Sequence, residues 1–131
     1  MHTLAIKTAR REDLVAITAQ LQDLVDANGW RSGMLFLHCP HTTAGLTVNE
    51  NADPDVVRDV LATLSRLVPK EGDYRHSEGN SDAHVKASCM GPGLSLMVEN
   101  GRIRLGTWQG VFFCEFDGPR NRQLWVQWMG A

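Results

Sequence analysis

Residues 84–128 read HVKASCMGPGLSLMVENGRIRLGTWQGVFFCEFDGPRNRQLWVQW, and this stretch decides the predicted fold because strand-like runs alternate with turn residues. The pattern predicts a meander of about five strands, at His84–Cys89, Leu94–Val98, Arg102–Leu105, Val111–Asp117 and Leu124–Trp128. The dipeptide Asn100-Gly101 lies between two alternating runs. It predicts a tight hairpin, because both residues tolerate the positive φ that a two-residue turn requires.

The preceding residues add three predicted strands, Thr3–Ala9, Gly33–Cys39 and Gly45–Val48, and two predicted helices. The first helix is predicted from Glu12 to a stop at Asn28-Gly29, because Leu14, Ile17, Leu21, Leu24 and Val25 recur at spacings of three and four. The second is predicted to begin at Asp53-Pro54, an N-cap followed by proline, and to end at Val68-Pro69. Helices early and strands late favour an α+β fold, with the helices on one side of a sheet or sandwich.

The chain has 131 residues, and its 43% hydrophobic and 21% charged residues are ordinary values for a single domain, taken as residues 1–131. The formal net charge is -2 and the arginines form no basic stripe, which argues against nucleic acid as a partner. No run approaches the roughly 18 apolar residues of a membrane span, so we expect no membrane partner. Three cysteines without a C-x-x-C spacing favour reduced thiols and a cytoplasmic location.

Polar side chains concentrate in three segments, His38–Asp55, His76–Ser88 and Gly106–Arg122, which we predict to form one site. Three interpretations remain open. The segments form a pocket with histidine and carboxylate as acid and base. Alternatively, His41 or His84 binds zinc or another divalent ion together with a carboxylate such as Asp82. As a third possibility, the polar residues are only solvated loops, turns and caps.

Several residues of these segments have side chains that suit a phosphate-bearing ligand. The planar guanidinium groups of Arg120 and Arg122 match a phosphate or carboxylate, and Lys86 adds a third cation. Trp108 and Gln109 interrupt a strand pattern between glycines, where a bulge or a close backbone approach is expected. We therefore expect a ring face and an amide to line the pocket.

Four segments together resemble the YjbQ-like family (uncharacterised protein family 47, also labelled secondary thiamine-phosphate synthase). They are His41–Asp55 with its Asn-Glu-Asn-Ala-Asp-Pro-Asp run, Tyr74-Arg75-His76, Ala83–Ser88 and Gly101–Gln109. Two departures are a shorter acidic segment before Ala83 and Met97 in place of the usual proline. The resemblance implies a seven-stranded α+β sandwich that forms a homotrimer. It also implies a transferase that joins a pyrimidine diphosphate to a thiazole phosphate and releases pyrophosphate.

These observations combine into one set of expectations. The fold is an α+β, mostly antiparallel β-sandwich of about seven strands with two helices, in the order β-α-β-β-α-β-β-β. The protein is a homotrimeric enzyme acting on a small phosphate-bearing molecule; the alternative is a non-catalytic or metal-dependent trimer that binds small anions. The expected catalytic residues are His41, Asn51, His76, His84 and Gln109. The expected substrate-binding residues are Thr42, Thr43, Asn49, Lys86, Trp108, Arg120 and Arg122. A divalent metal, zinc or magnesium, is expected on His41, His84 and Asp82 if one is bound.

Overall fold

A computed structural model describes residues 1–131 as eight strands and three helices. The elements are β1 (His2–Lys7), β2 (Asp13–Ala16), α1 (Thr18–Ala27), β3 (Gly33–His38), β4 (Ala44–Glu50), α2 (Pro54–Leu67), α3 (Ser81–Met90), β5 (Gly93–Glu99), β6 (Arg102–Ile103), β7 (Gln109–Glu115) and β8 (Asn121–Gly130). The α+β prediction is confirmed. No helix combines the length with the apolar character that crossing a membrane requires.

The strands form two antiparallel sheets. The larger has the order β1-β8-β3-β5-β6, and the smaller has the order β2-β7-β4. The main core lies between them, where Leu35 and Val126 of the larger sheet meet Leu46 and Phe113 of the smaller one. Burial of these apolar side chains is the principal stabilising term for such a fold.

The other face of the smaller sheet carries the helices α2 and α3. Phe112 and Cys114 point to this side and form a second cluster with Ala83 and Ala87 of α3. Successive side chains of a strand point to opposite faces, so β7 contributes Val111 and Phe113 to the main core and Phe112 and Cys114 to the second cluster. The molecule is layered as large sheet, small sheet and the helices α2 and α3, while α1 packs into the main core through Leu21 and Val25.

The predicted turn signals are confirmed at two places. Asn100 and Gly101 have φ values of 52° and 76°, and they connect β5 to β6. Asp53 caps α2, since its Oδ1 accepts a hydrogen bond of 2.9 Å from the backbone N–H of Asp55. These local signals persist because they depend on residues adjacent in sequence.

The predicted helix from Glu12 is wrong in its first part. Residues Asp13–Ala16 form β2, which pairs with β7 so that Leu14 lies opposite Cys114. Leu14 and Ile17 are both buried, but in different clusters on opposite sides of the small sheet. Their spacing of three was therefore misleading, because a helix would have placed them on a single face.

The predicted strand His84–Cys89 is also wrong, because residues Ser81–Met90 form helix α3. The buried residues of α3 are Asp82, Ala83, Lys86 and Ala87, which is the spacing of one helical face. Two of the four are charged, whereas pattern reading assigns charged residues to the solvent. Because these two charged residues are buried through ion pairs with distant residues, the helical pattern of burial is not visible in the sequence.

Candidate functional site

The residues predicted to form one site lie at opposite ends of β4. His41 and Thr42 come just before this strand and Asn51 follows it. A strand of seven residues spans roughly 20 Å, so these side chains cannot share one small pocket within a single subunit. The candidate residues therefore divide into two groups.

The first group surrounds a cleft of about 320 Å³ that we call the histidine cleft. Its lining residues are His41, Thr42, Ala44, His84, Ala87, Ser88 and Pro92. The cleft lies where the C-terminal part of α3 meets the start of β4. Gly45 permits this close approach, because a Cβ atom there would lie 2.9 Å from the carbonyl oxygen of Gly91.

A third imidazole lies against the cleft through His84. The rings of His76 and His84 meet edge to face, with centroids 5.4 Å apart and planes at 84°. His76 also has its Nε2 atom 3.7 Å from a carboxylate oxygen of Glu78. Three of the five predicted catalytic residues, His41, His76 and His84, therefore gather in one place.

The protonation state of His41 follows from its contacts. His41 Nε2 lies against the backbone of Gln123, 2.9 Å from its nitrogen and 3.2 Å from its carbonyl oxygen, so it accepts or donates there according to the tautomer. Burial lowers the pKa of His41, and the positive charge of Arg122 lowers it further. At neutral pH the ring is thus uncharged, and its Nδ1 makes no hydrogen bond within the chain.

Behind His41, Arg122 and Thr43 belong to a buried ion-pair cluster. Arg122 donates from Nε to Glu115 over 2.9 Å, and its terminal nitrogen bonds both Glu115 and Thr43. Burial alone would raise the pKa of Glu115, but hydrogen bonds from Arg122 and Thr8 outweigh it and hold that pKa below its ordinary value. Arg122 Nε, one of its terminal nitrogens and the Thr43 hydroxyl are therefore engaged within the protein, which argues against the predicted role of these two residues in substrate binding.

Lys86 and Asp82 form a second buried ion-pair cluster, on the face of α3 opposite to solvent. The Lys86 ammonium lies 2.7 Å from Glu12 and 2.8 Å from Asp82, and the side chains of Lys86 and Asp82 are 1% and 0% exposed. Arg11 adds two hydrogen bonds to the Asp82 carboxylate, of 2.9 and 3.1 Å. Burial alone would raise the pKa of Asp82, but the hydrogen bonds from Arg11 and Lys86 bring it to about 2.

This cluster corrects two expected roles. Lys86 is not free to bind a phosphate, because both of its carboxylate partners are within hydrogen-bonding distance. Asp82 does not join His41 and His84 in the cleft, because its oxygens are bonded to Arg11 and Lys86. Within one chain no group of three or more His, Cys, Asp or Glu side chains is placed to hold a metal ion.

The second group of candidates lies at the far end of β4. The backbone N–H of Asn51 donates to the carbonyl of Trp108 over 2.8 Å. Gln109 folds back so that its Oε1 accepts a hydrogen bond of 2.7 Å from Gly106 N–H. Trp108 is 64% exposed, so it does not pack in the core of this chain.

The side chains of the two remaining candidates make local contacts only. Asn49 uses its Oδ1 to accept from the N–H of Glu50 over 2.7 Å. Arg120 donates to the carbonyl and the carboxylate of Asp117, at 2.7 and 3.1 Å. Neither residue lines the histidine cleft.

Sequence reasoning missed the partners of the buried charged residues. Glu115 lies in the middle of the apolar run Val111–Phe116, and a lone charge in such a run is a usable signal for a buried ion pair. Arg11 and Glu12 gave no comparable signal, because they lie 71 and 74 positions before their partners Asp82 and Lys86.

Comparison with known proteins matches one family. The family model described as UPF0047 protein YjbQ-like matches residues 2–131. The UPF0047 protein YugU of Bacillus subtilis is 48% identical over 131 residues, with 99% of each chain covered. A crystal structure of a YjbQ/UPF0047 family protein from Clostridium acetobutylicum superposes with a TM-score of 0.95 at 50% identity, covering 98% of this chain and 100% of the other. A conserved hypothetical protein from Thermus thermophilus gives 0.93 at 44% identity, with 98% and 100% covered.

Proposed function

The chain belongs to the YjbQ-like UPF0047 family, and from that premise we propose that its histidine cleft binds a small phosphate-bearing molecule and transforms it by acid–base chemistry. The observation that carries this proposal is the convergence of His41, His76 and His84 beside the hydroxyl groups of Thr42 and Ser88. Imidazoles both donate and accept protons near neutral pH, which suits them to this role.

The contacts of each ring suggest its part in the reaction. The Nε2 atom of His41 is held by the Gln123 backbone. When it accepts from the Gln123 N–H, the proton of the neutral ring is on Nδ1 and is available to a ligand oxygen. His84 makes no ring hydrogen bond within the chain, and it is therefore the proton acceptor in this proposal. His76 positions the His84 ring by its edge-to-face contact.

The donors of the cleft favour a modest negative charge on the ligand. Thr42 and the imidazole N–H groups supply hydrogen bonds, while no lysine or arginine lines the cleft. Of the three imidazoles only those of His41 and His84 line the cleft, and no carboxylate does. Because no three such groups of the chain are placed to hold a metal ion, the residues of one subunit do not fit a resident metal ion. A monophosphate therefore suits the cleft better than a diphosphate.

The finer candidate is the reaction that the family label implies, the joining of a pyrimidine diphosphate to a thiazole phosphate with release of pyrophosphate. Pyrophosphate release requires compensation of negative charge, which cations normally supply. Arg122 and Lys86 are engaged in internal ion pairs and do not supply it here. This reaction is one arm of the test rather than the conclusion.

The test compares wild-type protein with His84→Ala and with the control His2→Ala, which removes a histidine outside the cleft. Each is incubated with p-nitrophenyl phosphate and, separately, with the pyrimidine diphosphate plus the thiazole phosphate. We expect turnover, or binding at the histidine cleft, by the wild type and by His2→Ala, and loss of either in folded His84→Ala. Equal behaviour of all three proteins would remove the histidine cleft from the function. Binding without turnover would favour the anion-binding alternative.

We propose further that the protein is a homotrimer that buries the outer face of the large sheet. Phe36, Met97 and Met129 on this face are 38%, 62% and 60% exposed, and Met34 lies opposite both methionines across the strand pairs. A contiguous exposed apolar patch of this kind is typical of a protein–protein contact. Light scattering should give three times the chain mass for wild type and for the α2 surface variant Ala62→Glu, but a smaller mass for Met97→Glu. A monomeric wild type would contradict the proposal.

A further inference from the structure

A second cleft, of about 660 Å³, lies at the far end of β4, between α2 and the small sheet. Its floor is apolar and includes Leu14, Phe112, Val57 and Leu61. Arg10 and Arg58 stand at its rim, and we call it the arginine cleft. The function proposed for the histidine cleft does not use any of these residues.

The arginine cleft exists because α2 covers the sheet incompletely. Val57 and Leu61 are only partly buried, and no residue of α2 is fully buried, although its apolar face packs over Phe112 and Leu14. The volume lies within the range of about 300–1,000 Å³ typical of small-molecule pockets. An apolar floor of this kind favours a hydrophobic or aromatic group as the buried part of a ligand.

The rim supplies cationic donors that the protein itself uses only in part. Arg10 is bound to Asp13 through one terminal nitrogen, at 3.0 Å, so the rest of its guanidinium group remains open. Arg58 has only a contact of 3.9 Å with Asp59, and both side chains are largely exposed. The one carboxylate in the lining, Asp53, accepts from the N–H of Asp55 as the cap of α2.

Asn51 completes the rim with an amide that makes no side-chain hydrogen bond within the chain. Its position depends on Gly110, because a Cβ atom at Gly110 would lie 2.6 Å from the Cβ of Asn51. This is the close backbone approach expected for the glycines around Trp108. The backbone N–H of Asn51 also bonds the carbonyl of Trp108, whose side chain does not line the cleft.

We infer that the arginine cleft is a binding site for an aromatic phosphate monoester. The ring would lie on the floor formed by Phe112, Val57 and Leu61, and the phosphate would bind the guanidinium groups of Arg10 and Arg58. Guanidinium groups bind phosphate oxygens through charge-assisted, often bidentate, hydrogen bonds. The inference does not depend on the function of the histidine cleft, because the two clefts share no lining residue.

The test titrates phenyl phosphate, phenol and inorganic phosphate into uniformly ¹⁵N-labelled protein. Phenyl phosphate should bind more tightly than phenol or inorganic phosphate. It alone has both a ring that packs on the apolar floor and a phosphate that binds the two arginines. The amide resonances of Asn51, Arg58 and Phe112 should shift, with an affinity fitted separately from any shifts of Thr42 and Ser88 in the histidine cleft. Inorganic phosphate binding as tightly as phenyl phosphate would overturn the inference, and so would shifts confined to the histidine cleft or no binding at all.

Two matched variants distinguish phosphate binding by the arginines of the rim from a general effect of positive surface charge. Arg58→Ala should weaken phenyl phosphate binding by about tenfold, the effect of losing a charge-assisted hydrogen bond. Arg66→Ala removes another exposed arginine of the same helix, about two turns away from Arg58 and outside the cleft, and should leave the affinity unchanged. Equal affinity for Arg58→Ala and Arg66→Ala, with both proteins folded, would contradict the assignment.

Discussion

The two faces of α3 carry similar kinds of polar side chain but differ in what those side chains contact. On one face, Asp82 and Lys86 are buried and paired with Arg11 and Glu12. On the other, His84 and Ser88 line an open cleft. The buried charges contact only other protein groups, whereas the cleft residues keep atoms free for a ligand. A charged residue in a functional-looking segment is therefore informative only when its partners are known.

The largest expected effect comes from removing one member of the buried cluster. Asp82→Ala leaves Lys86 and Arg11 without their shared carboxylate, and breaking a buried ion pair in this way costs roughly 3–5 kcal/mol. The free energy of unfolding, measured by urea titration, should fall by that amount. The control Asp59→Ala removes an exposed carboxylate of α2 and should change it by less than about 0.5 kcal/mol. A comparable loss in both variants would show that the buried Asp82 carboxylate contributes no more to stability than an exposed one.

An intermediate effect is expected from pH. The pKa of Asp82 is about 2 in the folded protein, below its ordinary value of 3.8, so the folded state binds fewer protons between these values. The stabilisation is complete above about pH 5 and is lost as the pH falls toward 2, a difference of roughly 2 kcal/mol. Unfolding titrations at pH 5 and pH 3 should therefore differ more for wild type than for Asp82→Asn. Parallel pH profiles would show that the carboxylate is not held in its charged form.

The smallest expected effect on stability belongs to the cleft face. His84 is partly exposed and makes no ring hydrogen bond, so His84→Ala should change the free energy of unfolding by less than about 0.5 kcal/mol. The urea titration used for Asp82→Ala also measures this change. A loss above about 2 kcal/mol would show that His84 is a structural residue like Asp82, contrary to the comparison.

The parts of the fold that were predictable are those coded by neighbouring residues. The hairpin at Asn100-Gly101 and the cap at Asp53-Pro54 depend on local geometry, and both are present. The strands β3, β5 and β8 were visible because their alternation or apolar character matches burial. In contrast, α3 was predicted as a strand because its buried face contains two charged residues whose partners lie far away in the sequence.

The candidate site was predictable only in part. The grouping of His41 and His84 with Thr42 agrees with the expectation of a shared pocket. Arg122 and Lys86 look like ligands for an anion when read in isolation, and only their contacts with Glu115, Glu12 and Asp82 show otherwise. Asn51 and Gln109 were grouped with the histidines, but β4 holds them at its opposite end.

The sequence by itself determined the α+β class, the turns, most strands and the family, since these depend on local conformational preferences and on motifs that can be read along the chain. Only the tertiary structure decided which charges are structural, which imidazoles converge and that the polar segments form two clefts. The physical reason is that the partner of a buried charge and the neighbour across a cleft are set by packing between distant segments. Arg11 and Asp82 are 71 positions apart, yet they form one ion pair.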